Sequence, residues 1–387
     1  MSLRPAEEQL KVALEGALGV PFTEGNEVVP FTNGARIFPP MLEAIAKARH
    51  RIELLTYIYW TGQVAIDFVD ALVERARAGV EVRVLLDGIG ALPMPRKLLR
   101  RMTEAGVQAR WFRPVPGFRL DHITHRTHRK ILVVDSEIAF TGGVGIAAEW
   151  EGDAEGPHHW RETHFACRGP CVRALRAAFY QNWMETEFDA MPMLTPTTPA
   201  AAAGGMPVQV VMSSASYSFS AIAVLHEALA DAAQQHIRIV TPYFVPSEET
   251  VGSLVGARQR GVEIDIMVPG PHVDSRVSDL AGSDAFDPLL KAGVRIWRYQ
   301  PTLLHAKIVT VDGILACVGS ANFNQRSQSK DDEVALNVLS PRLCAQLDRQ
   351  FADDQRSCER VSLWKWRRRG GLRRLAEIAA YFFRTHT

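Results

Sequence analysis

His128-Arg129-Lys130-Ile131-Leu132-Val133-Val134-Asp135 recurs later in the chain as His305-Ala306-Lys307-Ile308-Val309-Thr310-Val311-Asp312. Each copy sets a histidine and a lysine two apart, ahead of a run rich in β-branched residues that reads as a buried strand. Equal stretches then lead from each aspartate to a small-residue turn. The first turn is Gly142-Gly143-Val144-Gly145 and the second is Gly319-Ser320-Ala321-Asn322. The correspondence continues upstream. Ile52-Glu53-Leu54-Leu55-Thr56-Tyr57 reads as a strand, followed by a helix ending in Arg75-Ala76-Arg77-Ala78-Gly79-Val80 and the strand Val82-Arg83-Val84-Leu85-Leu86-Asp87. The second set is Ile237-Arg238-Ile239-Val240-Thr241-Pro242-Tyr243, a helix ending in Ala257-Arg258-Gln259-Arg260-Gly261-Val262, and Ile264-Asp265-Ile266-Met267-Val268. Glu104-Ala105-Gly106-Val107 with Trp111 likewise echoes Lys291-Ala292-Gly293-Val294 with Trp297.

A shared order of elements at a near-constant offset predicts a duplicated α/β unit. The expected architecture is two pseudo-symmetric halves, each a mixed, mostly buried sheet flanked by helices, with an active site between them. The first half spans residues 1–190. Residues 191–206, rich in Pro, Thr, Ala and Gly, read as a linker. The second half spans 207–360, and 361–387 form a basic tail containing Trp364 and Trp366.

A chain of 387 residues is too long for one small core. Its net charge of +1 selects no partner class, so an anionic ligand must be met by a local patch. The apolar fraction of 47% and charged fraction of 22% are those of a globular protein. The five cysteines include a lone C-x3-C at Cys167 and Cys171, and read as free thiols in a reducing compartment. Residues 1–20 show no signal-peptide core, and no apolar run reaches the length of a membrane span. Any work at a membrane is expected from the water side.

The paired motifs carry chemistry. On a strand, residues two apart share a face, so each imidazole and ammonium would point the same way. That pairing suits an anion: the lysine neutralises a phosphate oxygen while the histidine attacks phosphorus or protonates an oxygen. The glycine turns let backbone N–H groups approach a phosphate, and Ser320 and Asn322 add donors. One H-x-K-x4-D is chance or core packing. Two copies at matching places in a duplicated chain predict a composite site.

These motifs resemble those of the phospholipase D superfamily, and of its bacterial cardiolipin synthase branch in particular. Further resemblance lies in Thr56-Tyr57-Ile58, Leu86-Asp87-Gly88-Ile89-Gly90, Trp160-Arg161-Glu162, Pro242-Tyr243-Phe244-Val245-Pro246 and Arg326-Ser327. The lack of spans matches the shorter type of that branch. The resemblance implies a phosphohistidine intermediate, no cofactor and no metal. One histidine attacks while the other protonates the leaving oxygen and then deprotonates the incoming hydroxyl. His128 is favoured as nucleophile and His305 as acid/base. Lys130, Lys307, Ser320 and Asn322, with Gly143 in the first half, would hold the phosphate. Glu162 and Glu333 are the carboxylates implied to orient the histidines, each serving the opposite half. Asp135 and Asp312 either join this catalytic set or brace a hairpin turn. Two departures are Gly145, where Asn is usual, and Glu162, where Asp is usual.

Weaker clusters remain. His122, His125 and His128 are spaced by three, and with Arg119, Arg126 and Arg129 they suggest an anion-facing lip in preference to a metal site. His158 and His159 read as a solvated loop. Lys365, Arg367, Arg368, Arg369, Arg373 and Arg374 beside two tryptophans suggest contact with an anionic lipid surface. Nucleic acid is a less favoured partner. The functional expectation is phosphatidyl transfer forming cardiolipin from phosphatidylglycerol, peripherally on the cytoplasmic side of the cell membrane. The alternatives are a hydrolase or nuclease of the same chemistry and a non-catalytic lipid-binding relative.

Overall fold

The computed structural model describes residues 4–114, 124–187, 201–214 and 220–370, with Glu377, Ala379 and Ala380 beyond them. The first half contributes strands β1 (Thr23–Thr32), β2 (Arg51–Thr56), β3 (Glu81–Asp87), β4 (Gln108–Phe112), β5 (Arg126–Thr127), β6 (Ile131–Val134), β7 (Ile138–Gly142) and β8 (Thr163–Arg168). The second contributes β9 (Met206–Ser213), β10 (His236–Val240), β11 (Phe244–Val245), β12 (Glu263–Pro269), β13 (Arg295–Tyr299), β14 (Ile308–Val311), β15 (Leu315–Gly319), β16 (Phe323–Asn324), β17 (Asp331–Leu339) and β18 (Cys358–Arg360).

The two halves repeat one strand order. It runs β1-β8-β7-β6-β2-β3-β4 in the first half and β9-β17-β15-β14-β10-β12-β13 in the second. The antiparallel pair β1–β9 joins them into one continuous mixed sheet. In both halves the strand–helix–strand units are parallel and the hairpins that follow each H-x-K are antiparallel. Strand β3 is buried along nearly its whole length, as expected where helices cover both faces. The helix Gln63–Arg77 shows how the pattern works. Val64, Ala65, Phe68, Val69, Leu72 and Val73 make one apolar stripe and are all buried. A central core mixes both halves, with Phe179 and Trp183 of the first packed among Ala316, Val318 and Leu336 of the second.

Packing departs from the sequence boundaries at one place. The helix Pro5–Leu18, assigned to the first half by position, buries Leu10 and Leu14 with Ile222 and Leu225 of the second half. Of the linker, residues 191–200 lie outside the described residues.

Asp135 and Asp312 occupy the hairpin turns, with φ of 52° and 54°. Asp135 accepts backbone N–H bonds from Arg49, His50 and Arg51 at 2.7, 2.8 and 2.8 Å. Asp312 does the same for Gln234, Gln235 and His236 at 2.9, 2.8 and 2.8 Å. Each carboxylate therefore caps the start of the neighbouring strand. Six intervening residues, on the order of 20 Å of extended chain, separate it from its histidine. Of the two readings open for these aspartates, bracing the turn fits the geometry and a place in the catalytic set does not.

Candidate active site

Each H-x-K precedes its strand instead of lying on it. His128 to Lys130 form an extended link between β5 and β6, and His305 to Lys307 precede β14. In that link each histidine crosses to the other half. β5 pairs in parallel with β17, and the His128 N–H donates to the Asp332 carbonyl at 2.9 Å. A bridge between Arg161 and Leu304 does the same on the other side, with the His305 N–H on the Arg161 carbonyl at 2.7 Å. The segment against which each histidine lies carries the other half's glutamate, Glu333 on β17 and Glu162 just before β8. His128 Nδ1 meets Glu333 Oε1 at 2.9 Å, and His305 Nδ1 meets Glu162 Oε2 at 2.6 Å. The two histidine–glutamate pairs are thus crossed between halves.

Burial governs the charges. It pushes both imidazoles down to about 4, with Glu333 and Glu162 opposing the shift and Lys130 and Lys307 adding to it. Both rings are therefore neutral at pH 7 and can present Nε2 as a nucleophile. Burial also lowers Lys130 to about 7 and Lys307 to about 8. It would raise Glu333, but His128, Lys130 and Ser320 outweigh it and hold the carboxyl at about 2. Glu162 is likewise held low, burial being outweighed by Lys307 and His305. Both ammonium groups are parked on backbone, Lys130 Nζ on the His128 carbonyl at 2.8 Å and Lys307 Nζ on that of His305.

The remaining predicted groups divide. Ser320 is fully buried and donates to Glu333 Oε2 at 2.5 Å, so it orients the carboxylate. Asn322 lines the cleft, and its Oδ1 has no hydrogen-bond partner among the described residues. A Cβ on Gly143 would stand 2.4 Å from Glu162 Oε2, so this glycine makes room for the carboxylate. One on Gly145 would lie 2.8 Å from Ile58 Cβ and from the Trp150 ring, leaving no space for an asparagine there.

The histidines face one cleft of about 350 Å3. Lys130 lines it, whereas Lys307 is not among its lining residues. Aromatic rings close the His305 side: Trp150, Trp160 and Tyr243 have ring centres 5.2, 5.4 and 6.3 Å from the imidazole. The His128 side has Tyr57 at 5.3 Å and a charged wall. There Arg126 pairs with Asp87 at 2.9 Å and Arg326 with Asp331 at 2.9 Å. Asp331 is buried at the cleft with Oδ1 unpartnered among the described residues, and burial raises its carboxyl to about 7. Sequence reasoning gave Trp160 and Asp331 no role. For Asp331 the signal was present, since it stands two residues before Glu333 and so shares its face on β17.

The anion-facing lip is not formed by the arginines expected. Arg129 is fully buried and donates to the Ala178 and Ser213 carbonyls at 2.8 Å and to that of Glu333 at 3.1 Å. It ties the halves together. Arg126 is engaged by Asp87, and Arg119 and His122 lie outside the described residues. Among the described residues no group of His, Cys, Asp and Glu could hold a metal ion, and the five cysteines are free thiols. His158 is exposed, and His159 meets Glu155 at 2.6 Å. In the tail, Trp366 is buried with its ring centre 4.8 Å from that of Phe286, while Trp364 is exposed beneath the Arg368 guanidinium. Arg373, Arg374 and residues 381–387 lie outside the described residues. No helix among the described residues is long and apolar enough to cross a membrane.

A duplicated sheet that brings two buried histidines to one cleft, each backed by a lysine and by the glutamate of the opposite half, defines a phosphodiester transferase of the phospholipase D superfamily. The comparisons narrow this. The family model for the cardiolipin synthase, phospholipase D-like domain matches residues 41–150 and 226–355. Cardiolipin synthase 1 of Bacillus anthracis is 32% identical over 369 residues, covering 93% of this chain and 72% of that protein. Probable cardiolipin synthase YwiE of Bacillus subtilis (strain 168) is 32% identical over 356 residues, covering 91% and 70%. The crystal structure of phosphatidylserine synthase from Haemophilus influenzae Rd KW20 shares the fold, with a TM-score of 0.74 at 14% identity over 98% of this chain and 100% of that one. The chain belongs to the cardiolipin synthase family of phospholipase D-like proteins.

Proposed function

We propose that this protein is a phosphatidyl transferase that forms cardiolipin from two phosphatidylglycerol molecules, working peripherally on the cytoplasmic side of the membrane. The observation that carries the reading is the pair of crossed, buried histidine–glutamate contacts at a single cleft. In the first step an imidazole Nε2, assigned to His128, attacks phosphorus. The bond from phosphorus to the headgroup oxygen breaks, and His305, which takes up a proton on Nε2 before this step and regains one in the next, gives it to the departing glycerol. In the second step a headgroup hydroxyl of another phosphatidylglycerol gives its proton to His305 and attacks phosphorus. The N–P bond breaks and cardiolipin leaves. Glu333 and Glu162 hold each ring by Nδ1, which leaves Nε2 for chemistry and stabilises the charge that forms on it. Lys130 and Asn322 face the non-bridging oxygens, with Lys307 adding positive charge nearby.

The test is product analysis with phosphatidylglycerol vesicles. Cardiolipin plus glycerol is the expected outcome, and phosphatidic acid alone would assign the chain to hydrolysis. His128→Ala and His305→Ala proteins are expected to lose transfer. A fully active variant of either kind would refute the mechanism. His305→Ala protein, quenched in alkali where an N–P bond survives, should retain phosphorus on His128, and absence of label there with label on His305 in the His128→Ala protein would reverse the assignment.

A further inference from the structure

Five large apolar side chains stand exposed among the described residues: Val12, Val29, Leu92, Val277 and Trp364. Two of them follow the matching strands of the two halves. Leu92 is 62% exposed in the loop after β3, and Val277 is 45% exposed in the segment after β12. Strands β3 and β12 are the matching parallel strands of the repeat. Both segments border the same cleft, since Ile89 lines it from the first and Ser275 and Ser278 from the second. Leu92 and Val277 therefore lie within three residues of the cleft lining, one in each half. Exposed cations accompany each. Arg96 and Lys97 follow Leu92 with no acidic residue between, and Arg276 precedes Val277, where the nearby Asp274 and Asp279 are engaged by Tyr243 and Arg298.

We propose that this rim is a membrane-docking surface, with Leu92 and Val277 entering an anionic bilayer and the pseudo-two-fold axis standing near its normal. The proposal rests on the lipid-substrate reading above. A cleft of about 350 Å3 is at the small end of ligand sites and has no room for two acyl chains. A diacyl lipid whose phosphate reaches the histidines must leave its chains in the bilayer, so the mouth has to meet the membrane face. Two aliphatic side chains flanked by cations supply the apolar and electrostatic parts of such a contact. A symmetric pair also lets two lipids approach from opposite flanks of one site, as a reaction joining two of them requires.

The test uses the full chain, vesicles of phosphatidylglycerol with phosphatidylcholine, and monomeric short-chain phosphatidylglycerol. Leu92→Asp with Val277→Asp is expected to weaken vesicle sedimentation at least about tenfold, from the transfer energy of two aliphatic side chains. Turnover of the monomeric lipid should stay near that of the unchanged protein. Val12→Asp, at an equally exposed site on the first helix, serves as the control and should bind normally. Leu92→Trp or Val277→Trp should tighten vesicle binding, a gain that misfolding cannot produce. Unchanged sedimentation of the Asp double variant, or no gain from either Trp variant, would overturn the proposal. The two readings fail separately. A protein that turns over neither lipid yet still loses vesicles in the Asp variant refutes the proposed function and upholds the docking surface. Normal turnover with undiminished vesicle binding does the reverse.

Discussion

The two half-sites hold the same histidine–glutamate pair by different means. In the second half two hydroxyls grip the carboxylate, Ser320 at 2.5 Å and Ser327 at 2.7 Å. In the first half, Gly143 occupies the position of Ser320 and the carboxylate of Glu162 fills the space. Its donors are the Thr163 backbone N–H at 2.9 Å and the Trp150 indole N–H at 3.4 Å. The outer walls differ as well, aromatic beside His305 and charged beside His128. The chemistry needs a fixed, ionised carboxylate behind each ring, and the identity of the donors fixing it is free to vary. What surrounds the pair then differentiates two sites that began alike.

That comparison can be broken at several points. The largest effect is expected from the carboxylates themselves. Glu333→Gln and Glu162→Gln should each lower kcat by about 10²-fold or more, since each disables an acid–base group. A silent change in steady-state rate at either would show that only one half-site is organised as described. Next come the carboxylate's supports. Ser320→Ala removes a hydrogen bond to a charged group, worth about 1.5–3 kcal/mol, and should lower kcat roughly tenfold or more. Gly143→Ala at the matching position acts oppositely, by forcing Glu162 away, and should also lower kcat. A Gly143→Ala protein with normal kcat would mean that Glu162 need not sit where it does.

A smaller effect concerns pH. Lys130 and Lys307, lowered to about 7 and about 8 from an ordinary 10.5, are charged below those values and neutral above them. Attraction for the phosphate is therefore lost as pH rises, and KM should climb between pH 7 and 9. A KM flat to pH 10 would show that the lysines keep ordinary values. The smallest effect on activity belongs to the turn aspartates. Asp135→Ala and Asp312→Ala leave exposed and half-buried strand-start amides without their acceptor and should each cost about 0.5–1.5 kcal/mol of stability in denaturant melts. Their kcat should stay near normal, and a collapse of kcat in a fully folded variant would return them to the catalytic set.

Much of this was legible in the sequence because duplication repeats local signals. The strands around residues 52–57 and 237–243 formed close to the expected bounds, and the paired motifs met at one site. The crossed glutamates were expected from family resemblance, as nothing local could reveal them. What was not legible depends on contacts between distant segments. The helix Pro5–Leu18 carries an ordinary apolar stripe, and nothing in it says which half it will cover. Arg129 looked like a surface cation because its acceptors are main-chain carbonyls 49 and 84 residues away. Asp135 belongs to the repeated motif, and repetition alone does not separate a catalytic role from a turn that both halves need.

The central claim is that each histidine is held by the carboxylate of the opposite half. Imidazole nitrogen NMR on Glu333→Gln and Glu162→Gln proteins tests it most directly. The account predicts that Glu333→Gln moves the Nδ1 resonance of His128 and leaves that of His305 in place, while Glu162→Gln does the reverse. A shift of the His128 resonance on changing Glu162, with His305 unmoved, would contradict it.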